Sequence, residues 1–217
     1  MKFLYLMKFM NLFKGRLVRS LQILICYLVM SLAAPLHAAE NPDISGYVMH
    51  VQMTPAACSF DSSRQKQRKC LEGYSLTIAS LLPEVPLNRD CSTKTSAKLS
   101  PLQAKVVARV MPDENARVQL WQDVGGCMSM NASQYFRTII NFAERLKVPA
   151  DLTSPNTIEV QKENLRQQFM KLNPSLPPTG IRFTCQSSKF DSILTELRVC
   201  YQKNGSYKQC ASHIVTG

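Results

Sequence analysis

Hydrophobic and polar positions along this chain fall into short alternating runs and longer runs at helical spacing. Tyr47-Val48-Met49-His50-Val51-Gln52-Met53 alternates, which predicts a strand with Val51 and Met53 on one face and His50 turned away from it. Pro55 predicts its end. Residues 74–78, β-branched and aromatic, predict a second strand, and Pro83 and Pro86 interrupt the chain beyond it. Residues 99–111 carry Leu102, Val106, Val107 and Val110 at helical spacing and stop at Pro112. The strongest helical pattern is 131–147, where Ser133 or Asn131 offers a cap and Tyr135, Phe136, Ile139, Ile140, Phe142 and Leu146 form one stripe. A second amphipathic helix is predicted over 157–172, ended by Asn173-Pro174. A turn through Pro177, Pro178 and Gly180 leads into the extended segment 181–185. Residues 193–201 predict the last long strand, and Lys203-Asn204-Gly205-Ser206 a turn. Strands and helices are interspersed without a strict βαβ rhythm, so the expected class is α+β, built on a central, mostly antiparallel sheet with flanking helices.

Residues 1–39 obey a different logic. Lys2, Lys8, Lys14, Arg16 and Arg19 form a basic leader without an acid, the mostly apolar run 21–30 comes next, and small residues end at Ala38-Ala39. This order describes a secretory signal peptide cleaved near Ala38 or Ala39, and its length admits Met7 or Met10 as the true start. A membrane anchor needs roughly 20 apolar residues, more than this run supplies. The expected mature chain is therefore a single domain over 40–217, soluble, and secreted or periplasmic.

Trimming changes charge and cysteine count. Five of the 26 Lys and Arg leave with the leader, so 21 basic residues face 15 acidic ones, a balance of +6. A modest positive charge favours anionic partners but names none, and ordinary surface charge explains it as well. The basic stretch 59–69, between Cys58 and Cys70, reads as a solvated surface loop, with phosphate binding as the rival. Cys26 also leaves, and Cys58, Cys70, Cys91, Cys127, Cys185, Cys200 and Cys210 remain. Export makes disulfides the default, and an odd count leaves one thiol over. Zinc is disfavoured, because no C-x-x-C pair exists and the only histidines after the leader are His50 and His213. No metal or other cofactor is expected.

Two segments carry a resemblance. Leu76-Thr77-Ile78-Ala79-Ser80-Leu81-Leu82-Pro83 resembles the first active-site motif of the ribonuclease T2 family, F-T-I-H-G-L-W-P, and Gln119-Leu120-Trp121-Gln122-Asp123-Val124-Gly125-Gly126-Cys127 resembles the second, H-E-W-x-K-H-G-T-C. Ordered landmarks surround them. Val51-Gln52-Met53-Thr54-Pro55-Ala56-Ala57-Cys58 is similar to the family's opening L-x-W-x-P-x-x-C strand, with Met53 in place of Trp. Met111-Pro112-Asp113 precedes the second motif, as in bacterial members, and Tyr135-Phe136 begins the helix after it. Asn173-Pro174, Cys185 and the run 194–200 resemble the C-terminal half, so the likeness spans about residues 47–210. It implies a ribonuclease T2-like, disulfide-braced domain with Cys91 joined to Cys127, local closures Cys58–Cys70 and Cys200–Cys210, and Cys185 as the odd thiol.

The resemblance also implies a chemistry that these residues do not supply. The family cleaves RNA by attack of the ribose 2′-hydroxyl on phosphorus, giving a 2′,3′-cyclic phosphate. That reaction uses a proton acceptor, a proton donor and a cation. The first motif's histidine is replaced by Ala79. The second motif's histidine, glutamate, lysine and second histidine are replaced by Gln119, Leu120, Asp123 and Val124. Leu82 stands where a base-stacking tryptophan belongs, which weakens the case for a nucleotide pocket. No catalytic position is intact, so the expectation is a binding protein, for RNA or for a protein partner. The alternative is an active endoribonuclease of the same type that uses displaced residues, with His50 and His213 as the available histidines.

Overall fold

Four segments pair into one antiparallel sheet in the order β2-β1-β4-β3: β1 Tyr47–Met53, β2 Leu76–Pro83, β3 Ile181–Ser187 and β4 Ser192–Tyr201. The structure, a computed structural model, describes residues 44–86, 88–153, 159–187 and 192–212, all within the unit Pro42–Gly217. The leader 1–39 and His213 lie outside these residues. Every pairing is antiparallel, and β1 takes a central position because both of its edges are used. Alternation then divides the side chains. Met49, Val51, Leu81, Ile181, Leu197 and Val199 turn to the core, while one rung on the opposite face runs Ser80–His50–Arg198–Arg182 across all four strands.

Six helices accompany the sheet: α1 Thr54–Phe60, α2 Arg68–Leu71, α3 Pro101–Val107, α4 Glu114–Val124, α5 Ala132–Arg145 and α6 Lys162–Leu172. Helices α3 to α6 pack on the apolar face and join its core, whereas Ala57 and Phe60 of α1 line a cleft with Gln52, Glu196 and Arg198 of the opposite face. Helix α5 does most of the burying, through Tyr135, Phe136, Ile139 and Phe142. Phe142 stacks on Tyr201 of β4 at 4.3 Å between ring centroids. Its start is a capping box: Asn131 Oδ1 accepts from Gln134 N–H (3.0 Å), and Gln134 Oε1 accepts from Asn131 N–H (3.0 Å). Ser133, the other candidate cap, instead accepts at Oγ from Gln103 Nε2 (2.6 Å). Disulfides join Cys58 to Cys70, Cys91 to Cys127 and Cys200 to Cys210, and Cys185 is free and exposed.

Several elements differ from the sequence expectation for identifiable reasons. The stretch 59–69 is not a plain loop; it holds the end of α1, a 3-10 turn at Ser62–Arg64 and the start of α2. Pro55 lies in the first turn of α1, where its missing N–H costs nothing, so it starts a helix as well as ending a strand. The second strand runs to Pro83 instead of Ile78, because an irregularity at Ala79 resets the period-two pattern. The third helix is shorter than 99–111. Ser100 caps it, and Leu102, expected in its apolar stripe, is 74% exposed. Helix α4 escaped prediction because its buried side is Arg117, Leu120, Trp121 and Val124, a stripe with an arginine in it.

Candidate functional site

The first-motif strand carries a bulge where its chemistry would stand. Ser80 pairs with His50 and Ile78 with Val51, so Ala79 faces no partner on β1. Its side chain is exposed. Ile78 N–H leaves the ladder and donates to Val110 C=O at 2.8 Å, which ties the strand to the end of the α3 segment. Bulges of this kind re-aim one side chain and are common beside active sites. Here the residue re-aimed is a methyl group.

The second motif is α4, packed against β2. Arg117, buried at its start, donates to the carbonyls of Met111 and Pro112 and fixes the entry of the helix. Leu120 is 8% and Val124 4% exposed, and both join Ile78 and Leu81 in the core. Gln119 and Asp123 lie on the outer side, one turn apart, and Gln119 Nε2 donates to Asp123 Oδ1 at 2.8 Å. Trp121 Nε1 donates to Thr95, at 3.0 Å to Oγ1, and its ring tilts against Tyr135 at 5.6 Å. Tyr135 in turn donates its buried hydroxyl to Leu81 C=O (2.8 Å). Beyond the helix, a Cβ on Gly125 would lie 2.5 Å from Thr93 Cγ2 and 2.8 Å from the Trp121 ring, and Gly126 N–H donates to Cys91 C=O (2.8 Å). The motif's tryptophan, glycine and cysteine positions thus serve packing and bridging. Of the five positions expected to replace catalytic groups, Ala79, Gln119 and Asp123 face solvent, while Leu120 and Val124 are core. Asp123 is the one ionisable group among them.

A second polar cluster lies on the outer sheet face. His50 Nδ1 is 3.2 Å from Glu196 Oε2, and Arg198 Nε donates to Glu196 Oε1 at 2.7 Å. Burial alone would raise the Glu196 carboxyl, but hydrogen bonds from His50 and Arg198, with their charges, hold it below its ordinary range. A cleft of about 450 Å³ opens here, lined among others by Gln52, Arg64, Thr184, Gln186, Glu196 and Arg198. Lys69 Nζ, on the segment closed by Cys58–Cys70, donates to Gln52 Oε1 (2.8 Å). His50 does turn from the core face, but it is paired and its side chain only 17% exposed, so it is not a plain surface histidine. Glu196 and Arg198 were not singled out from sequence. Their signal was charge at alternate positions around Leu197 in a strand; their meeting with His50 depends on a register that the sequence does not print. Among the described residues, no group of three or more His, Cys, Asp and Glu could hold a metal ion.

This arrangement of sheet, helices and bridges is the fold of the T2-family ribonucleases. Among solved structures, the chain is similar to ribonuclease MC1 from the seeds of bitter gourd, with a TM-score of 0.58 and 16% identity over 76% of this chain and 94% of that one. It is also similar to trichomaglin, an S-like ribonuclease (TM-score 0.59, 13% identity, 78% and 92% covered). Japanese pear S3-RNase matches with a TM-score of 0.57 and 16% identity over 76% and 90% of the two chains. No family model and no curated protein sequence matches the chain.

Proposed function

We propose that this chain is an exported T2-family protein that binds RNA and does not cleave it. The observation that carries the reading is the burial of Leu120 and Val124 in the core beside a β2 bulge that presents only the Ala79 methyl. A phosphodiester transfer at that place lacks a proton acceptor, a proton donor and a cation, and general acid–base groups alone are typically worth about 10²–10⁴-fold. Asp123, where the family has lysine, would repel the phosphate. RNA as ligand is supported by the mature charge of +6, from 21 basic and 15 acidic residues, and by the related fold of ribonuclease MC1, a variant of which is solved in complex with 5′-UMP. The leader supports export. Among the described residues, no helix is long and apolar enough to cross a membrane. Filter binding of polyuridylate across a salt series tests the reading: affinity should fall linearly on logarithmic axes as salt rises. Absence of binding at low salt would refute RNA as the ligand and turn attention to a protein partner.

A second reading has one observation behind it. The His50–Glu196–Arg198 cluster unites an imidazole, a carboxylate and a guanidinium, the residue types a displaced ribonuclease centre would need. It predicts cyclic-phosphate products that disappear in His50→Ala.

A further inference from the structure

The outer sheet face sets basic side chains opposite one another, away from the motif positions. Arg182 of β3 and Arg198 of β4 are directly opposed in register, and His50 is opposed to Arg198 on its other side. Directly opposed like charges destabilise a sheet pair. Glu196 binds both Arg198 Nε and His50 Nδ1, which occupies both of its oxygens. Arg182 Nε is buried and, among the described residues, has no hydrogen-bond partner. A buried donor without a partner is costly, and carboxylates and phosphates are the anions that arginine pairs with best. The 450 Å³ cleft opens beside this rung: Arg198, Glu196 and Thr184 from the same two strands line it, and Arg182 and His50 lie next to its lining residues in the sheet and not in the lining itself. Arg64, the other cation in its lining, is already engaged with Asp61.

We propose that the Arg182–Arg198 pair, with His50 beside it, is a phosphate-binding site on the outer face of the sheet. The guanidinium forks suit the geometry of phosphate oxygens, and the anion would supply the missing acceptor for Arg182. None of the five substituted motif positions takes part. The site rests on the RNA reading only in taking the phosphate from a polynucleotide backbone; free phosphate would meet the same groups.

Two ligands and two variants test it. Inorganic phosphate titrated into the protein should shift the His50 and arginine side-chain NMR resonances and raise the melting temperature. Arg182→Gln should abolish both responses, and in the absence of phosphate at low salt it should melt higher than wild type, since it removes the repulsion. The same variant should bind oligouridylate about tenfold more weakly, with the logarithmic salt slope reduced by about one. Lys105→Gln, an exposed change on α3, should alter neither. Lack of any phosphate response in wild type overturns the site. Unchanged RNA affinity and slope in Arg182→Gln also overturns it, and leaves the RNA reading standing. A phosphate response lost in Arg182→Gln, in a protein that binds no oligouridylate, upholds the site and refutes the RNA reading.

Discussion

The β2 bulge and α4 present a methyl at Ala79, an amide bonded to a carboxylate at Gln119 and Asp123, and two buried aliphatic side chains at Leu120 and Val124. One residue further along β2, the rung from Ser80 across β1, β4 and β3 gathers a histidine and two arginines, with Glu196 nearby on β4. The two places are neighbours on one sheet, yet one has been given over to packing and the other concentrates charge. The difference lies in what each side chain loses in solvation. Leu120 and Val124 face inward, where an ionised side chain would need a partner that the surrounding Ile78, Leu81 and Trp121 do not offer. The outer face keeps contact with water, so Glu196 and Arg198 remain ionised there by binding one another. The packed region is held by the Cys91–Cys127 bridge, by Gly125 and Gly126 and by Trp121.

The largest effect expected from breaking this contrast comes from the bridge that holds the packed region in shape. Replacing Cys91 and Cys127 by serine opens a loop with a sequence separation of 36 and should cost about 3–4 kcal/mol in urea denaturation. The same change at Cys58 and Cys70, separated by 12, should cost about 1 kcal/mol less. Next comes restoration of a motif histidine in the core: Val124→His should destabilise by about 2 kcal/mol, whereas Gln119→His, on the exposed side of the same helix, should stay within about 0.5 kcal/mol. Equal costs for the two would contradict the assignment of Val124 to packing. Tyr135→Phe removes the buried bond to Leu81 and should cost about 1 kcal/mol by thermal or chemical melting.

The smallest effect is a pH dependence on the charged face. The Glu196 carboxyl is held below its ordinary range in the folded state, so its contribution is present above the unfolded value of about 4.3 and is lost as pH falls through the folded value. Glu196→Gln should therefore lower stability near neutrality, and its difference from wild type should vanish in acid. Denaturation midpoints between about pH 2 and 7 read this directly; a difference that grows toward acid would reverse the sign.

Legibility tracked locality. Helix α5 could be read because its stripe and its cap lie in one continuous stretch of chain, and β1 because its alternation is unbroken. Helix α4 could not, since Arg117 occupies an apolar position and finds its partners, the carbonyls of Met111 and Pro112, only in three dimensions. The end of β2 was hidden by the bulge at Ala79. The α+β class came from strands and helices interspersed without a βαβ rhythm, and its ribonuclease T2-like form from two motif-like segments together with the ordered landmarks around them. The replaced positions were visible as letters. That Leu120 and Val124 are core while Ala79, Gln119 and Asp123 are exposed was not. The outer-face cluster was illegible because it is made by register: His50, Glu196 and Arg182 lie apart along the chain and meet only when β1, β4 and β3 align.

The most direct measurement is an incubation of the purified protein with polyuridylate, assayed for 2′,3′-cyclic phosphate ends. The account predicts product at the level of a blank, from protein that in the same buffer retains the RNA. Turnover within about tenfold of an intact T2-family ribonuclease, abolished by His50→Ala, would contradict it, since loss of acid and base should cost far more than that.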